Sequence, residues 1–256
     1  LLTLLTLPIR TLQACLLDSG EADEFLVASN GERIRNSHPL AEKGREVGCL
    51  RSFPGQLGSD PFVGFFINTN KTAVKQAEEL EVGYEIPWCE ERLLNQLHRL
   101  RDWQIKYNPV PTMLSRAELK NKSQRVNSTI QNQPKYTFLF RDACNPNNKS
   151  LPITGEKIAA FWGQVCFEVQ ERLKKMGQSV QLVRRKKADR RTESHPLYTL
   201  HSLRVSGITN FIEHGVPIHV IAEFVSGHAQ LIMALYYTKL NPGTIRDKLE
   251  LAYENM

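Results

Sequence analysis

The chain has no apolar run long enough to cross a bilayer as a helix, so a helical membrane span is excluded. Cysteine is sparse. Cys15, Cys49, Cys89, Cys144 and Cys166 are odd in number, far apart and never arranged as CxxC. That spacing argues against a disulfide framework, gives a zinc site no support, and predicts a reduced, intracellular (cytoplasmic) protein. No internal repeat is present. An initiator methionine is also absent, and the leading "LLTLLTLPI" has no basic region before it. It reads as a helix entered partway along, not as a signal peptide, and a fragment or processed chain is expected.

What is present is enough for a core. Apolar residues make up 41% of the 256, which excludes global disorder and suits one large domain or two small ones. The formal charge of +6 favours an anionic partner, weakly, because such a balance is common. The first 26 residues predict a buried helix, a turn at Asp18-Ser19-Gly20 and a short strand. Residues 31–60 hold five glycines and little periodicity, which predicts an irregular excursion. "PFVGFFINT" has strand composition, and "VGYEIPW" is a second strand candidate, with Pro87 either ending it or sitting just inside the next helix. Leu93, Leu94, Leu97 and Leu100 recur at helical spacing, and Trp103 continues the stripe. Residues 108–134 are polar and predict an exposed excursion. "YTFLF" predicts a short strand. A helix follows the cap Thr154, with Ile158, Phe161, Trp162, Val165, Val169 and Leu173 at its apolar positions.

The stretch from Arg172 to Arg191 is the most basic in the chain. It is either a solvated loop or a strip facing phosphates, built from Arg184, Arg185, Lys186, Lys187, Arg190 and Arg191. Such a strip carries no base specificity by itself. Beyond it, Leu203, Ile208, Phe211 and Ile212 predict a helix broken at Gly215. Pro217 opens a second helical segment, and "HAQLIMALYY" predicts a third. The turn between them suits a helix-turn-helix, although the second segment is strongly apolar. Arg204 cannot be buried cheaply without an anion or an acid. His201 lies one turn earlier and can face the same target. His228 follows a glycine, where the first amides of a helix can meet an anion. Tyr237 lies nine residues further on. Read alone, these side chains are either one phosphate site or the polar decoration of ordinary core helices.

"HSLR" at 201–204, "SGH" at 226–228 and "ALYYTK" after it occur together and in order, and in this the chain resembles the tyrosine recombinase (phage-integrase-like) superfamily. Ser226 stands where the usual motif has leucine, and Val205-Ser206 follow the arginine where His-Thr or His-Ser is usual. "LPIRTLQACLL" resembles the family's helix with its first catalytic arginine, which assigns that role to Arg10, with Gln13 in place of the usual acidic residue. "INTNKT" resembles the strand-turn of the catalytic lysine. It puts Lys71 first, with Lys75 as its competitor. The resemblance implies an α+β fold, mostly helical, a tyrosine-recombinase-like catalytic domain with a small antiparallel sheet. It covers residues 1–256, with insertions expected at 31–60 and 108–134. The separate N-terminal DNA-clamping domain of the family has no place before Arg10.

The implied chemistry is site-specific recombination or integration through a 3′-phosphotyrosyl intermediate on double-stranded DNA, without metal or other cofactor. Tyr237 would attack phosphorus, His201 would assist with its proton, and Lys71 would act as acid for the leaving 5′ oxygen. Arg10 and Arg204 would clamp the nonbridging oxygens, and His228 would add a hydrogen bond. Tyr236 points about 100° away from Tyr237 on a helix, so the two are not equivalent. The resemblance also implies bacterial DNA as the setting, a homo-oligomer on DNA such as a synaptic tetramer, and accessory recombination proteins. "NPGTIRDKLELAYENM" is then either a segment exchanged between subunits or a terminal helix folded back. A type IB topoisomerase shares the chemistry, but the short Gly-His-to-Tyr interval favours the recombinase branch. A noncatalytic helix-turn-helix DNA-binding protein leaves the ordered Arg-Lys-His-Arg-His-Tyr set unexplained. A metal hydrolase built on His214, His219 and Glu223 has no strong zinc spacing behind it.

Overall fold

The computed structural model describes residues 1–55, 59–69, 83–119, 134–188 and 191–225. Two short helices open it, α1 (Leu2–Thr6) and α2 (Thr11–Cys15), where the apolar run predicts one. Pro8, which has no N–H to donate, lies between them. Strands β1 (Phe25–Val27) and β2 (Arg33–Arg35) form an antiparallel pair. Strands β3 (Leu50–Phe53), β4 (Phe62–Ile67) and β5 (Tyr84–Ile86) form a three-stranded antiparallel sheet with β4 central. The excursion at 31–60 is therefore not wholly irregular. It supplies β2 and β3, and its pairing is set at long range, Leu50 opposite Phe65. A period-2 pattern inside a four-residue strand is too short to announce itself.

Helix α3 (Glu91–Tyr107) starts where the Glu90 carboxylate accepts from the amides of Arg92 at 2.8 Å and Leu93 at 2.7 Å. Its buried stripe begins with Leu93, Leu94 and Leu97 but continues through Arg101 and Gln104, while Trp103 is exposed. The polar end of the stripe has a use. Gln104 donates to the carbonyls of Leu139 at 3.3 Å and Arg141 at 3.2 Å. That ties down "YTFLF", which makes isolated bridges, such as Asp18 with Phe138, and not a strand ladder. The core gathers Leu7, Leu17, Phe65, Ile67, Leu93 and Leu139 between these elements.

A buried ionic knot fastens the excursion to this core. Asp18 accepts from Arg45 at 2.9 Å and from the amide of Thr137 at 2.8 Å. Asp23 pairs with the same guanidinium and accepts from the amides of Val47 and Gly48. Burial, followed by the charge of Asp18, pushes the Asp23 carboxyl up to about 6.

Helix α4 (Gly155–Lys175) is capped by the Thr154 hydroxyl as expected, but Phe161 and Val169 are exposed. The basic stretch is not a loop among the described residues. Strands β6 (Val183–Ala188) and β7 (Arg191–Pro196) form an antiparallel hairpin that packs on α4. Gln170 on α4 accepts from the amides of Leu182 and Val183 and so fixes where the hairpin starts. Gly163 allows the close approach, since a Cβ there would lie 2.2 Å from the carbonyl oxygen of Ser194. Helix α5 (Leu200–Glu213) follows, ending before Gly215 at φ +83°. Pro217 then starts a single helical turn, Ile218–Val220, which passes into a π-type turn, Ile221–Val225. Ile221 and Ala222 are buried. The fold is thus helices plus small antiparallel sheets. No helix among the described residues is long and apolar enough to cross a membrane.

Candidate active site

Three separate segments meet at one buried polar point. Arg10 is the N-cap of α2, and its amide donates to the Gln13 side chain at 2.9 Å. The same carboxamide donates to the carbonyl of Thr69 at 2.6 Å, just past the end of β4. Gln13 therefore joins α2 to the central sheet. From the other end of the chain, α5 brings in Arg204, which is 1% exposed and donates through Nη1 to the carbonyl of Pro8. Tyr84, opposite Ile67 at the start of β5, completes the group.

The electrostatics of Tyr84 report the arrangement. Burial pushes its hydroxyl above the ordinary phenol value, and the positive charges of Arg204 and then Arg10 pull it back. Both guanidinium groups therefore act on one phenol. Arg204 and Gln13 lie within reach of that hydroxyl, yet its oxygen makes no hydrogen bond of acceptable geometry. A raised value keeps the phenol neutral near pH 7, so it retains a proton to donate.

Beside this point runs a groove of about 1050 Å³. Thr11, which follows Arg10, lines it, together with Gly155 and Trp162 of α4, His195 of β7 and His201 of α5. Trp162 donates through its indole N–H to the carbonyl of Tyr198 at 2.8 Å, which sets the loop entering α5. His201 is exposed, one turn before the buried Arg204. Among the described residues, no three His, Cys, Asp or Glu side chains gather as a metal site.

Of the six residues singled out for catalysis, the structure brings Arg10 and Arg204 together and places His201 in the adjoining groove. Lys71 and its competitor Lys75, His228, Tyr236 and Tyr237 lie outside the described residues. Of the basic strip, Arg184 is exposed on β6 opposite His195. Arg185, Lys186 and Lys187 occupy successive positions of that strand, and Arg191 opens β7. Arg190 lies outside the described residues. Two site features escape the sequence reading. Tyr84 looks like any strand aromatic, and His195 looks like part of a charged loop. The only sequence signal for Tyr84 is its place in the short strand that returns from the lysine turn.

Residues 1–115, which include Arg10, Gln13, Thr69 and Tyr84, match a family model described as "Putative integrase". Two solved structures are similar over nearly the whole chain. The Tn1549 transposon integrase in complex with transposon right end DNA is similar at a TM-score of 0.45 and 15% identity, over 98% of this chain and 57% of that one. The XerA recombinase is similar at a TM-score of 0.42 and 14% identity, over 98% of this chain and 55% of that one. The chain thus spans little more than half the length of these proteins. No curated protein matches it.

Proposed function

We propose that the chain is the catalytic part of a site-specific recombinase or integrase that cleaves and rejoins double-stranded DNA. The reading rests on one observation above others: two arginines 194 positions apart in sequence, Arg10 and Arg204, act on one buried phenol beside a groove lined by His201. A pair of planar donor forks suits the two nonbridging oxygens of a phosphodiester. The integrase match over residues 1–115 supports the same reading.

In the proposed step, the Tyr237 oxygen attacks phosphorus and the bond from phosphorus to the 5′ oxygen breaks. The phenolic proton passes to His201, and Lys71 gives a proton to the departing 5′ oxygen. The product is a 3′-phosphotyrosyl link whose formation reverses when a second DNA end attacks. Arg10 and Arg204 stabilise the charge that develops on the phosphoryl oxygens, and His228 adds a further hydrogen bond. No metal takes part in this scheme. On this reading the chain acts within a homo-oligomer assembled on DNA, and residues 31–60 and 108–134 are insertions in the catalytic unit.

The test uses the full-length protein with a nicked duplex carrying a candidate site, so that the cleaved strand diffuses away. A protein–DNA adduct that survives denaturation, mapped to Tyr237, is expected. Tyr237→Phe removes only the attacking oxygen and should abolish the adduct while DNA binding persists; Tyr236→Phe should retain it. Adduct formation at Tyr236, or by Tyr237→Phe, refutes the assignment.

A further inference from the structure

The buried cluster around Arg204 contains one group that the proposed chemistry does not use. We propose that the Tyr84 hydroxyl is a further phosphate-binding donor, completing with Arg10 and Arg204 a three-pronged cradle for one phosphodiester group. The inference deepens the reading given above and rests on it for the identity of the anion.

The argument is one of unmet hydrogen bonding. The Tyr84 oxygen is buried and makes no hydrogen bond. A buried hydroxyl in that state costs about 1–3 kcal/mol, so an unpaired one needs an account. Its neighbours explain why the fold does not satisfy the proton. Arg10 and Arg204 are donors only and have nothing to accept with. The carboxamide of Gln13 is engaged at both ends, its oxygen by the amide of Arg10 at 2.9 Å and its nitrogen by the carbonyl of Thr69 at 2.6 Å. The phenol proton therefore faces two cations and an amide oxygen that already accepts one hydrogen bond and is within reach but makes none of acceptable geometry with it. The acceptor that fits such surroundings is an anionic oxygen, and phosphate offers several within the reach of one site.

The placement is built, not incidental. Tyr84 is held by its register opposite Ile67, which is wholly buried in the core. Gln13 ties the end of β4 to α2, so the backbone carrying Arg10 and the start of the sheet cannot drift apart independently. Gly83, the preceding residue, brings the chain against the Phe66 ring, where a Cβ would sit at 2.4 Å. Arg204 is as covered as the phenol oxygen. On this proposal the phosphate enters from the side of the groove lined by Thr11, the neighbour of Arg10, and by His201, one turn before Arg204. A phenol kept neutral by burial also supplies a donor that adds no charge, which suits a transition state already facing two guanidinium groups.

The experiment has two arms. In the first, the 256-residue chain labelled at the tyrosine ζ carbon is titrated with inorganic phosphate and then with a short DNA duplex, and the Tyr84 resonance is followed by NMR. In the second, cleavage of a nicked duplex is timed in single turnover for the full-length protein and for Tyr84→Phe. The expected result is a saturable shift of the Tyr84 resonance with both ligands. Cleavage by Tyr84→Phe should be slower by about 10- to 100-fold, with a thermal midpoint no lower than the parent's because the variant also removes the unmet buried hydroxyl. A Tyr84 resonance that ignores both ligands overturns the inference, as does a variant that cleaves at the parent rate. If the parent forms no adduct on any duplex while phosphate still moves the Tyr84 resonance, the recombinase reading fails and the anion cradle stands. The first arm needs no variant, so a folding defect in Tyr84→Phe does not decide the matter.

Discussion

Gly163→Ala puts a methyl group where α4 and β7 touch. Helix propensity alone favours the change by about 1 kcal/mol, because Gly163 lies in the middle of a 21-residue helix. The contact opposes it. The new carbon would sit 2.2 Å from the carbonyl oxygen of Ser194 and 3.4 Å from Cδ of Pro196. The close atom is backbone, so no side chain can swing aside. The hairpin has to retreat by roughly 1 Å to restore an ordinary contact distance, and overpacking of this kind costs about 1–3 kcal/mol. The net expectation is a loss of up to about 2 kcal/mol, or up to about 4–8 °C in thermal midpoint for a chain of this size. Circular dichroism melts of parent and variant read it directly. The displacement also moves His195, which lines the groove with His201, so DNA affinity should fall alongside stability. A variant that melts higher than the parent, as propensity alone demands, would show that the hairpin does not press on α4.

Other perturbations test other parts of the molecule. Arg45→Met leaves Asp18 and Asp23 buried without their shared cation and should destabilise the fold by about 3–5 kcal/mol in urea unfolding. His98 is pushed down to about 4, first by burial and then by the charge of Arg101, whose Nη2 lies 2.9 Å from Nδ1. Its folded value lies below its unfolded one, so the unfolded chain takes up the proton first. The stability His98 contributes is complete above about pH 6.5 and is lost as pH falls toward 4. His98→Gln should therefore flatten that limb of the stability profile by about 1–2 kcal/mol, a figure reduced for partial exposure. Neutralising Arg184, Arg185, Lys186, Lys187, Arg190 and Arg191 together should weaken binding to unrelated DNA sequences alike. It should also reduce the dependence of affinity on salt, because such residues can meet phosphates without reading bases. An unchanged salt slope excludes the hairpin from the DNA interface.

How much of this was legible in the sequence varies from element to element. The three long helices show themselves through the cap at Thr154, leucine spacing in α3 and the break at Gly215. Strands β4 and β5 follow from their composition, but their pairing does not, because the link between them is too long for a tight hairpin. Strand β3 was hidden because its partner lies across an intervening loop and its own four residues carry no usable period. The hairpin β6–β7 was hidden by its charge: a strand rich in Arg and Lys has no apolar face to reveal, and what holds it is a glycine contact and a glutamine on α4. Arg10 was found through family resemblance, while Arg204 stood out first as a cation within an apolar helical segment and received its role from the resemblance. Tyr84 was missed because a buried phenol and a core aromatic look alike until the hydrogen bonds around them are counted.

The hydrogen bond from Arg204 to the carbonyl of Pro8 joins residues 196 positions apart. During synthesis at about 5–20 residues per second, roughly 10–40 s separate the emergence of the two partners. Helix α1, which packs against α5, must wait through that interval with an unmatched face. Contacts of such long range are also slow to close in the finished chain. The order has a protective side. A polypeptide arrested anywhere before residue 204 carries Arg10 without its counterpart, and the cluster has no surface on which to assemble. On the proposed function, the pair of arginines forms only once Arg204 has been made, so a product interrupted before that residue would lack half of the proposed site.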